Sequence, residues 1–435
     1  MKVVLLGGGA GKRMFPITED KFLLKFMGKT LLEHQIETAK KARLWQFVII
    51  GNQGNIDRIE EVVKRVADIK FELAVQEEPR GIADALISAQ DLIDGDVLVQ
   101  SSNDVVETSA YTCLLESKSH DSAVSYLLSY KVNDYFPGGY LVVGKDGELR
   151  HIIEKPGRGN EPSNLVDILV HLHTNPRSLL RYAAGVQTNR DDVYERAIDA
   201  MAKDTGSIKV IPYAGSWDTI KYPWHILSLA RRFLERSEGY VAPSARISEK
   251  ATIEGKVIIM DGARVLENAV IKGPVYIGRR SVIGTGSLIR DYTHIGEKCV
   301  VGYTTEIKNS YVGDNCWFHK SYVGDSIISD GCSFGAGTVL SNFRFDEKNI
   351  KIKLGEELID TKLDKLGAIM GRGCRTGVNV SVMPGVRIGP NSVVGPGVCL
   401  ARDLGQDQFA QCEPNYHITD SRAVVAEERR PLCAG

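Results

Sequence analysis

The sequence predicts a Rossmann-like α/β domain over residues 1–238, a left-handed parallel β-helix over 239–405 and a C-terminal tail over 406–435. Three observations carry this division. Short apolar strands alternate with helical stretches in the first half, the pattern of a parallel sheet. Small aliphatic residues recur every six positions in the second half. Two polar turns, GGGAGKR and SSND, fall directly after strands, where open α/β sheets bind their ligands.

In the first half, Lys2–Leu6 reads as a buried parallel strand and Thr30–Ala42 as an amphipathic helix after a turn at Gly28. Phe47–Ile50 is a second strand, Ile56–Ala67 a second helix, and Val97–Gln100 a strand leading into Ser101–Asp104. A helix around Trp224–Ser237 closes the domain. From about Val241 the six-residue period takes over: Ile277, Ile283, Ile289, Ile295, Val301 and Ile307, with Gly278, Gly284, Gly296 and Gly302 following their partners. One-residue slips bring Val312-Gly313, Val323-Gly324 and Phe334-Gly335. The period resumes through Met370, Thr376, Val382, Ile388, Val394 and Leu400. Neither a helix nor an alternating strand has this period. A triangular β-helix does, because each side takes six residues and turns one aliphatic side chain inward. The break between about Ser341 and Gly367 predicts a segment looping out of a coil.

Composition narrows the function. The 435 residues are 43% hydrophobic and 25% charged, with a formal net charge of −1, which gives no reason to expect nucleic acid or an anionic membrane as partner. No apolar run has the length of a membrane span, and the N-terminus lacks a signal-peptide pattern. The eight cysteines form no CxxC pair, as expected of a cytoplasmic protein with reduced structural thiols.

GGGAGKR suggests a P-loop, but GxxxxGK[ST] would require glycine at Leu6 and Ser or Thr at Arg13. With the following KFLLKFMGKTLLEHQI, QEEPRGIADAL, SSND and IIEKP, it instead resembles the sugar-1-phosphate nucleotidylyltransferases. The resemblance implies that Leu6, Gly8, Gly9, Gly11 and Lys12 wrap a nucleoside triphosphate, that Arg13 neutralises its β- and γ-phosphates, and that Lys21 reaches the α-phosphate. Such chemistry brings an anion to an anionic phosphorus, so fixed donors and cations are required. Gln76 and Gly81 match base-reading positions, and Glu154 and Lys155 sugar-binding ones; Asp104 and Asp218 are the candidate Mg²⁺ ligands. The chain departs from the family at Asn103, Ile82 and Asp167, and in Trp217-Asp218-Thr219-Ile220-Lys221-Tyr222-Pro223, where the pattern is W-x-D-[IV]-G-x-P.

The stretch EIKNSYVGDNCWFHKSYVGDSIISDGCSFGAGTVLSNFRFDEKNIKI resembles the acetyltransferase domain of bifunctional glucosamine-1-phosphate acetyltransferase/N-acetylglucosamine-1-phosphate uridylyltransferases, with FxFDEKNxKI closest to the archaeal branch. The resemblance implies that Arg290 and Lys308 hold the sugar phosphate, that His319 in HxxYxGD is the general base, and that Tyr322 and Asn342 orient the substrate. Lys348 and Lys351 lie on the loop completing that site, and acetyl-CoA lies along Met370–Leu400 with Ser333 and Gly377 as contacts. A homotrimer is implied by the same resemblance. The sequence is compatible with three readings: a bifunctional enzyme using acetyl-CoA, UTP or dTTP, and Mg²⁺; a monofunctional enzyme; and a non-catalytic sugar-nucleotide sensor.

Overall fold

The computed structural model describes every residue except Ala10, Lys12, Pro414, Asn415 and 421–435. The nucleotide-binding expectation at Lys12 and most of the tail therefore lie outside the described residues.

Lys2–Leu6 is a central strand, and its period of two serves both faces of the sheet. Val3 and Leu5 enter one buried cluster, while Val4 and Leu6 enter another on the opposite side. Val97–Ser101 and Gln46–Asn52 flank it in parallel, and Lys70–Gln76 pairs in parallel beyond the latter. The sheet is mixed rather than purely parallel. Leu165–His173 runs antiparallel beside Val97–Ser101, and further strands extend that edge. The helix predicted at Thr30–Ala42 spans Leu31–Lys41. Thr30 closes a capping box with Glu33, and Leu31, Leu32, Ile36 and Ala39 turn inward.

Three stacked parallel sheets form the second half, one for each side of a left-handed parallel β-helix. Successive coils stay in register: Ile259 pairs with Ile277, and Ile277 with Ile295. Ile277, Ile283, Ile289, Ile295, Val301 and Ile307 are all fully buried in one continuous core. The slips after Ile307 shorten a coil without breaking the ladder, since Ile295 still pairs with Val312 and Val301 with Phe318. The helix continues past residue 405, because Phe409–Ala410 pairs with Val393–Val394. The six-residue period fades there, so the sequence assigns the last coil to the tail.

The segment 341–367 leaves the coil as expected and forms a hairpin of Lys351–Leu354 with Glu357–Asp360. Ile350 and Ile352 are buried, Arg387 donates to the Lys353 carbonyl at 2.6 Å, and Lys362 pairs with Asp134 of the first domain at 3.2 Å.

The two halves share a core. Tyr276, His294 and Tyr311 stack outward along one side of the β-helix, with ring centroids 4.8 and 4.9 Å apart. The first domain covers them. The Met27 N–H donates to His294 Nε2 at 3.0 Å, and the Tyr311 hydroxyl donates to the Lys25 carbonyl at 2.9 Å. Burial lowers the His294 pKa to about 4, so the ring is neutral and its Nδ1–H is free to donate to the Val312 carbonyl at 3.2 Å. Tyr311, Ile327, Ile350 and Ile369 belong to the same buried cluster as the N-terminal sheet.

Truncating one rung of the inner column tests this packing. Ile307→Ala should lower stability by about 2–5 kcal/mol, read as a shift in urea unfolding followed by tryptophan fluorescence.

Candidate active sites

The glycine turn follows Lys2–Leu6 and is fixed from below. Asn55 Nδ2 donates to the Gly7 carbonyl at 3.0 Å, and Asn52 Nδ2 to that of Gly8 at 3.2 Å. Gln76 joins this loop to the next one. A β-carbon on Gly8 would lie 2.3 Å from Gln76 Oε1, and Gln76 Nε2 donates to the Gly81 carbonyl at 3.0 Å and to Asp84 at 2.8 Å. Leu6, Gly8, Gln76 and Gly81 thus form one floor. Gly9 and Gly11 have open space where a side chain would stand, and Gly11 adopts a left-handed φ of 59°.

Arg13 is exposed beside this floor, and Lys21 starts a short 3₁₀ turn beneath it. Burial, reinforced by the Arg13 charge, lowers the Lys21 pKa to about 8, with Asp104 opposing the shift. Asp104 is itself buried, which raises its pKa. Trp217 Nε1 donates to its carboxylate at 2.9 Å, and the Thr219 hydroxyl donates to the same group. The turn that presents Asp104 is held by two buried amides outside the sequence-predicted set. Gln35 Nε2 donates to the Asp104 carbonyl at 2.9 Å and Gln100 Nε2 to the same carbonyl at 3.0 Å.

Asp218 does not join Asp104. Trp217–Thr219 runs antiparallel to Asp104–Val106, with Thr219 opposite Asp104 and Asp218 opposite Val105. Alternation therefore turns Asp218 to the other face, where it pairs with buried Arg232. Arg232 also donates to the Val105 and Ser216 carbonyls at 3.1 Å. The expectation of a two-carboxylate ion site at Asp104 and Asp218 is corrected on this geometry. Among the described residues, no group of three or more His, Cys, Asp or Glu side chains could hold a metal.

A second group of side chains lies within electrostatic reach of Asp104 and Lys221. Glu154 pairs with Lys155 at 2.6 Å, and Lys155 holds a left-handed φ of 46° that is strained for a lysine. Asp167 lies beside Glu154 at Gly139 and is oriented by a buried chain of hydrogen bonds. His171 Nε2 meets Asp167 at 2.8 Å, its Nδ1 meets the Tyr194 hydroxyl at 2.8 Å, and Tyr194 meets His173 Nε2 at 2.9 Å. His173 Nδ1 contacts Ser125 Oγ at 2.7 Å. Burial lowers the His173 pKa to about 3, so that ring is neutral. One assignment satisfies every group: Ser125 donates to His173, His173 to Tyr194, Tyr194 to His171, and His171 to Asp167.

Lys221 is another residue outside the sequence-predicted set. It stands where the family pattern has glycine. Its ammonium donates to the Pro137 carbonyl and lies 3.6 Å from the Phe136 ring centroid. Burial is the main cause of a pKa lowered to about 7, with Asp104 and Glu154 opposing it.

At the β-helix, register explains His319. Backbone hydrogen bonds align one corner column as Gly284, Gly302, His319, Gly335, Gly377 and Gly395. His319 is thus an exposed imidazole with glycine above and below it. Ser333 lies on the adjoining side, opposite Trp317 and Arg375. Across the side carrying Tyr322 stands a second group. Buried Asp325 accepts from Asn309 at 2.7 Å, pairs with Lys308 at 3.2 Å and accepts from Asn342, which also hydrogen-bonds Tyr322. Arg290 lies one coil before Lys308 and pairs with Glu306 at 2.9 Å. Asp325 ends the HxxYxGD motif, which is the signal that could have identified it. Lys348 and Lys351 are exposed on the 341–367 segment.

These two regions define a class: a nucleotide-transferring α/β domain joined to a hexapeptide-repeat transferase. The family model for nucleotidyl transferases matches residues 2–208, and the model for bacterial transferase hexapeptides matches 256–291 and 367–402. The chain is 38% identical over 428 residues to the bifunctional protein GlmU of Methanococcus maripaludis strain C7, covering 97% of this chain and all of that one. It is 32% identical over 419 residues to the bifunctional sugar-1-phosphate nucleotidylyltransferase/acetyltransferase of Sulfurisphaera tokodaii, covering 94% and 99%. It is 31% identical over 412 residues to the bifunctional protein GlmU of Methanocaldococcus jannaschii, covering 94% and 97%. The chain belongs to this family of bifunctional nucleotidylyltransferase/acetyltransferases.

The two faces of Trp217–Thr219 make different predictions. Asp218→Ala leaves Arg232 buried without its carboxylate and should cost about 2–4 kcal/mol in chemical denaturation, toward the low end because Asp218 is partly exposed. Thr219→Ala should cost under about 1.5 kcal/mol in the same measurement.

Proposed function

We propose that the chain transfers acetyl from acetyl-CoA to glucosamine-1-phosphate at the β-helix, and a nucleotidyl group from UTP or dTTP to the sugar-1-phosphate at the N-terminal domain, releasing pyrophosphate. The observation that carries the first half is His319, the one side chain projecting from a corner column otherwise built of glycine from Gly284 to Gly395. An amine must be neutral to attack a thioester, and an accessible imidazole can accept the proton it sheds. Arg290 and Lys308 bind the sugar phosphate, while Asp325 fixes Lys308 and Asn342 so that Tyr322 and Asn342 orient the sugar. The sugar-phosphate group and His319 stand at opposite edges of one side of the prism. A homotrimer would bring a neighbouring copy over that gap, with Lys348 and Lys351 closing it. Acetyl-CoA runs along the coils that carry Ser333 and Gly377, where the glycine corner permits close approach.

In the N-terminal site, the floor of Leu6, Gly8, Gly9 and Gly11 receives the triphosphate, with Gln76 and Gly81 next to the base. Arg13 and Lys21 stabilise charge on the phosphates as the sugar-phosphate oxygen bonds to the α-phosphorus and pyrophosphate departs. Glu154, Lys155 and Asp167 face the sugar. Mg²⁺ fits at Asp104, a single buried carboxylate whose remaining partners would be phosphate oxygens and water, and it would neutralise phosphate charge there. Acetyl-CoA and nucleoside triphosphates are small cytoplasmic substrates, and no helix among the described residues is long and apolar enough to cross a membrane. The turned-away Asp218 favours a second reading, an acetyltransferase with a weakened nucleotidyl site.

Incubation with glucosamine-1-phosphate, acetyl-CoA, UTP and Mg²⁺, with products identified by mass, separates the two readings. The bifunctional protein yields a UDP-N-acetylamino sugar, whereas the monofunctional one stops at the acetylated sugar phosphate. His319→Ala should lower acetyl transfer by at least about 100-fold without changing pyrophosphate release. Acetylation at the wild-type rate would remove His319 as base.

Lys21 predicts a pH dependence. Its pKa is about 8 in the fold against 10.5 for the free side chain, so the unfolded chain holds more protons between these values. Its burial thus costs stability below about pH 8, and the penalty fades as pH rises to 10.5. A bound triphosphate restores the proton. UTP affinity should fall as pH rises above about 8, with proton uptake in calorimetry, and Lys21→Met should lose that part of the uptake.

A further inference from the structure

The N-terminal site carries cations in excess of their partners. Arg13, Lys21, Lys155 and Lys221 converge there, yet only Lys155 has a carboxylate within ion-pair distance among the described residues. Lys221 is the least expected of them. It is largely buried, and its ammonium rests on a backbone carbonyl and a phenyl face. A buried ammonium held that way is under-compensated, and such a group is stabilised by an anion arriving from outside.

Position decides which anion. Lys221 Nζ lies 3.5 Å from where a β-carbon on Gly138 would stand. The neighbouring Gly139 touches both Glu154 and Asp167 in the same sense, at 3.4 Å each, and the Lys155 N–H donates to the Gly138 carbonyl at 3.1 Å. Lys221 therefore belongs to the sugar-facing wall, whereas Arg13 and Lys21 belong to the glycine floor. Its backbone also places it two residues after Thr219, which lies opposite Asp104. It stands at the seam between the nucleotide half and the sugar half.

We propose that Lys221 binds the phosphate of the incoming sugar-1-phosphate and holds its attacking oxygen toward the α-phosphorus of the nucleotide. The inference rests on the nucleotidyl-transfer reading of this site. In the step, the sugar-phosphate oxygen forms a bond to the α-phosphorus, the bond from α-phosphorus to the bridging oxygen breaks, and pyrophosphate leaves with the electron pair. Lys221 keeps its proton throughout; it supplies charge and a donor. The ammonium also offsets repulsion between the two phosphates, a task to which Asp218 contributes nothing from its place beside Arg232.

The test compares wild type with Lys221→Met and Lys221→Arg. Pyrophosphate release gives KM for glucosamine-1-phosphate, N-acetylglucosamine-1-phosphate and UTP separately, and calorimetry measures binding of each in an Arg290→Ala/Lys308→Ala background that removes the sugar-phosphate site of the β-helix. Acetyl transfer in the other domain reports that the variants are folded. Lys221→Met should raise KM for both sugar phosphates by about 10–100-fold and weaken their direct binding alike, with UTP affinity within about twofold of wild type. Lys221→Arg should recover most of the loss, since it keeps the charge. A variant that lowers kcat with sugar-phosphate KM unchanged, or weakens UTP and sugar phosphate equally, would overturn the assignment. Should wild type release no pyrophosphate with any of these substrates, the nucleotidyl reading fails. Calorimetry with glucosamine-1-phosphate in the Arg290→Ala/Lys308→Ala background then decides Lys221 by itself: binding that is lost when Lys221→Met is added supports it, and equal binding overturns it.

Discussion

In-register stacking of the β-helix coils is the constraint on which the remainder of the molecule rests. Each coil places a residue at the same point of the triangle as its neighbours, so every position belongs to a column. The inward columns must be aliphatic, and Ile277 through Ile307 meet that demand with complete burial. The outward columns are then free to specialise. One becomes the aromatic strip of Tyr276, His294 and Tyr311 that receives the first domain, and another becomes the glycine corner from which His319 projects. A solitary exposed histidine would carry little meaning. Its setting in a column of glycines gives it room for a ligand on both sides.

The N-terminal domain reaches its functional geometry by different means. Its charged groups stand on turns, and turns are held by buried amides. Gln35 and Gln100 both grip the Asp104 carbonyl, Gln76 ties the two glycine turns together, and Asn52 and Asn55 support the first of them. These contacts satisfy backbone groups that would otherwise be stranded at the ends of buried strands. Asp167 is treated likewise, through a hydrogen-bonded chain of rings running back to Ser125.

The difference between the halves governs how much could be read from the sequence. A six-residue period is a local property, so Ile277 to Leu400 disclosed the β-helix, and the loss of period at 341–367 disclosed the excursion. The helix at Leu31–Lys41 was legible for the same reason, from its cap and apolar face. Contacts between distant segments left no such trace. The pairing of Asp218 with Arg232 depends on which face of a three-residue strand points at a helix, and spacing alone allowed Asp218 to be read as an ion ligand. Lys221 was visible only as a missing glycine, because its surroundings at Phe136, Pro137 and Gly138 come from a loop far back in the chain. Asp325 was in plain view within a quoted motif, but its role needed Lys308, Asn309 and Asn342 in adjacent coils.

The aromatic strip bears on heredity as well as on packing. Tyr276, His294, Tyr311 and Ile327 are buried where the first domain lies on the β-helix. A β-helix separated from its partner would show water a long apolar seam and a histidine deprived of its Met27 donor. A sheet domain released from the β-helix would lose the cover over Met27 and the partner of the Lys25 carbonyl. The two halves are therefore not interchangeable cassettes. A gene fusion, a swap or a split at this junction would have to bring a matching seam with it, so sequence change along the strip on one side is answerable to the residues on the other.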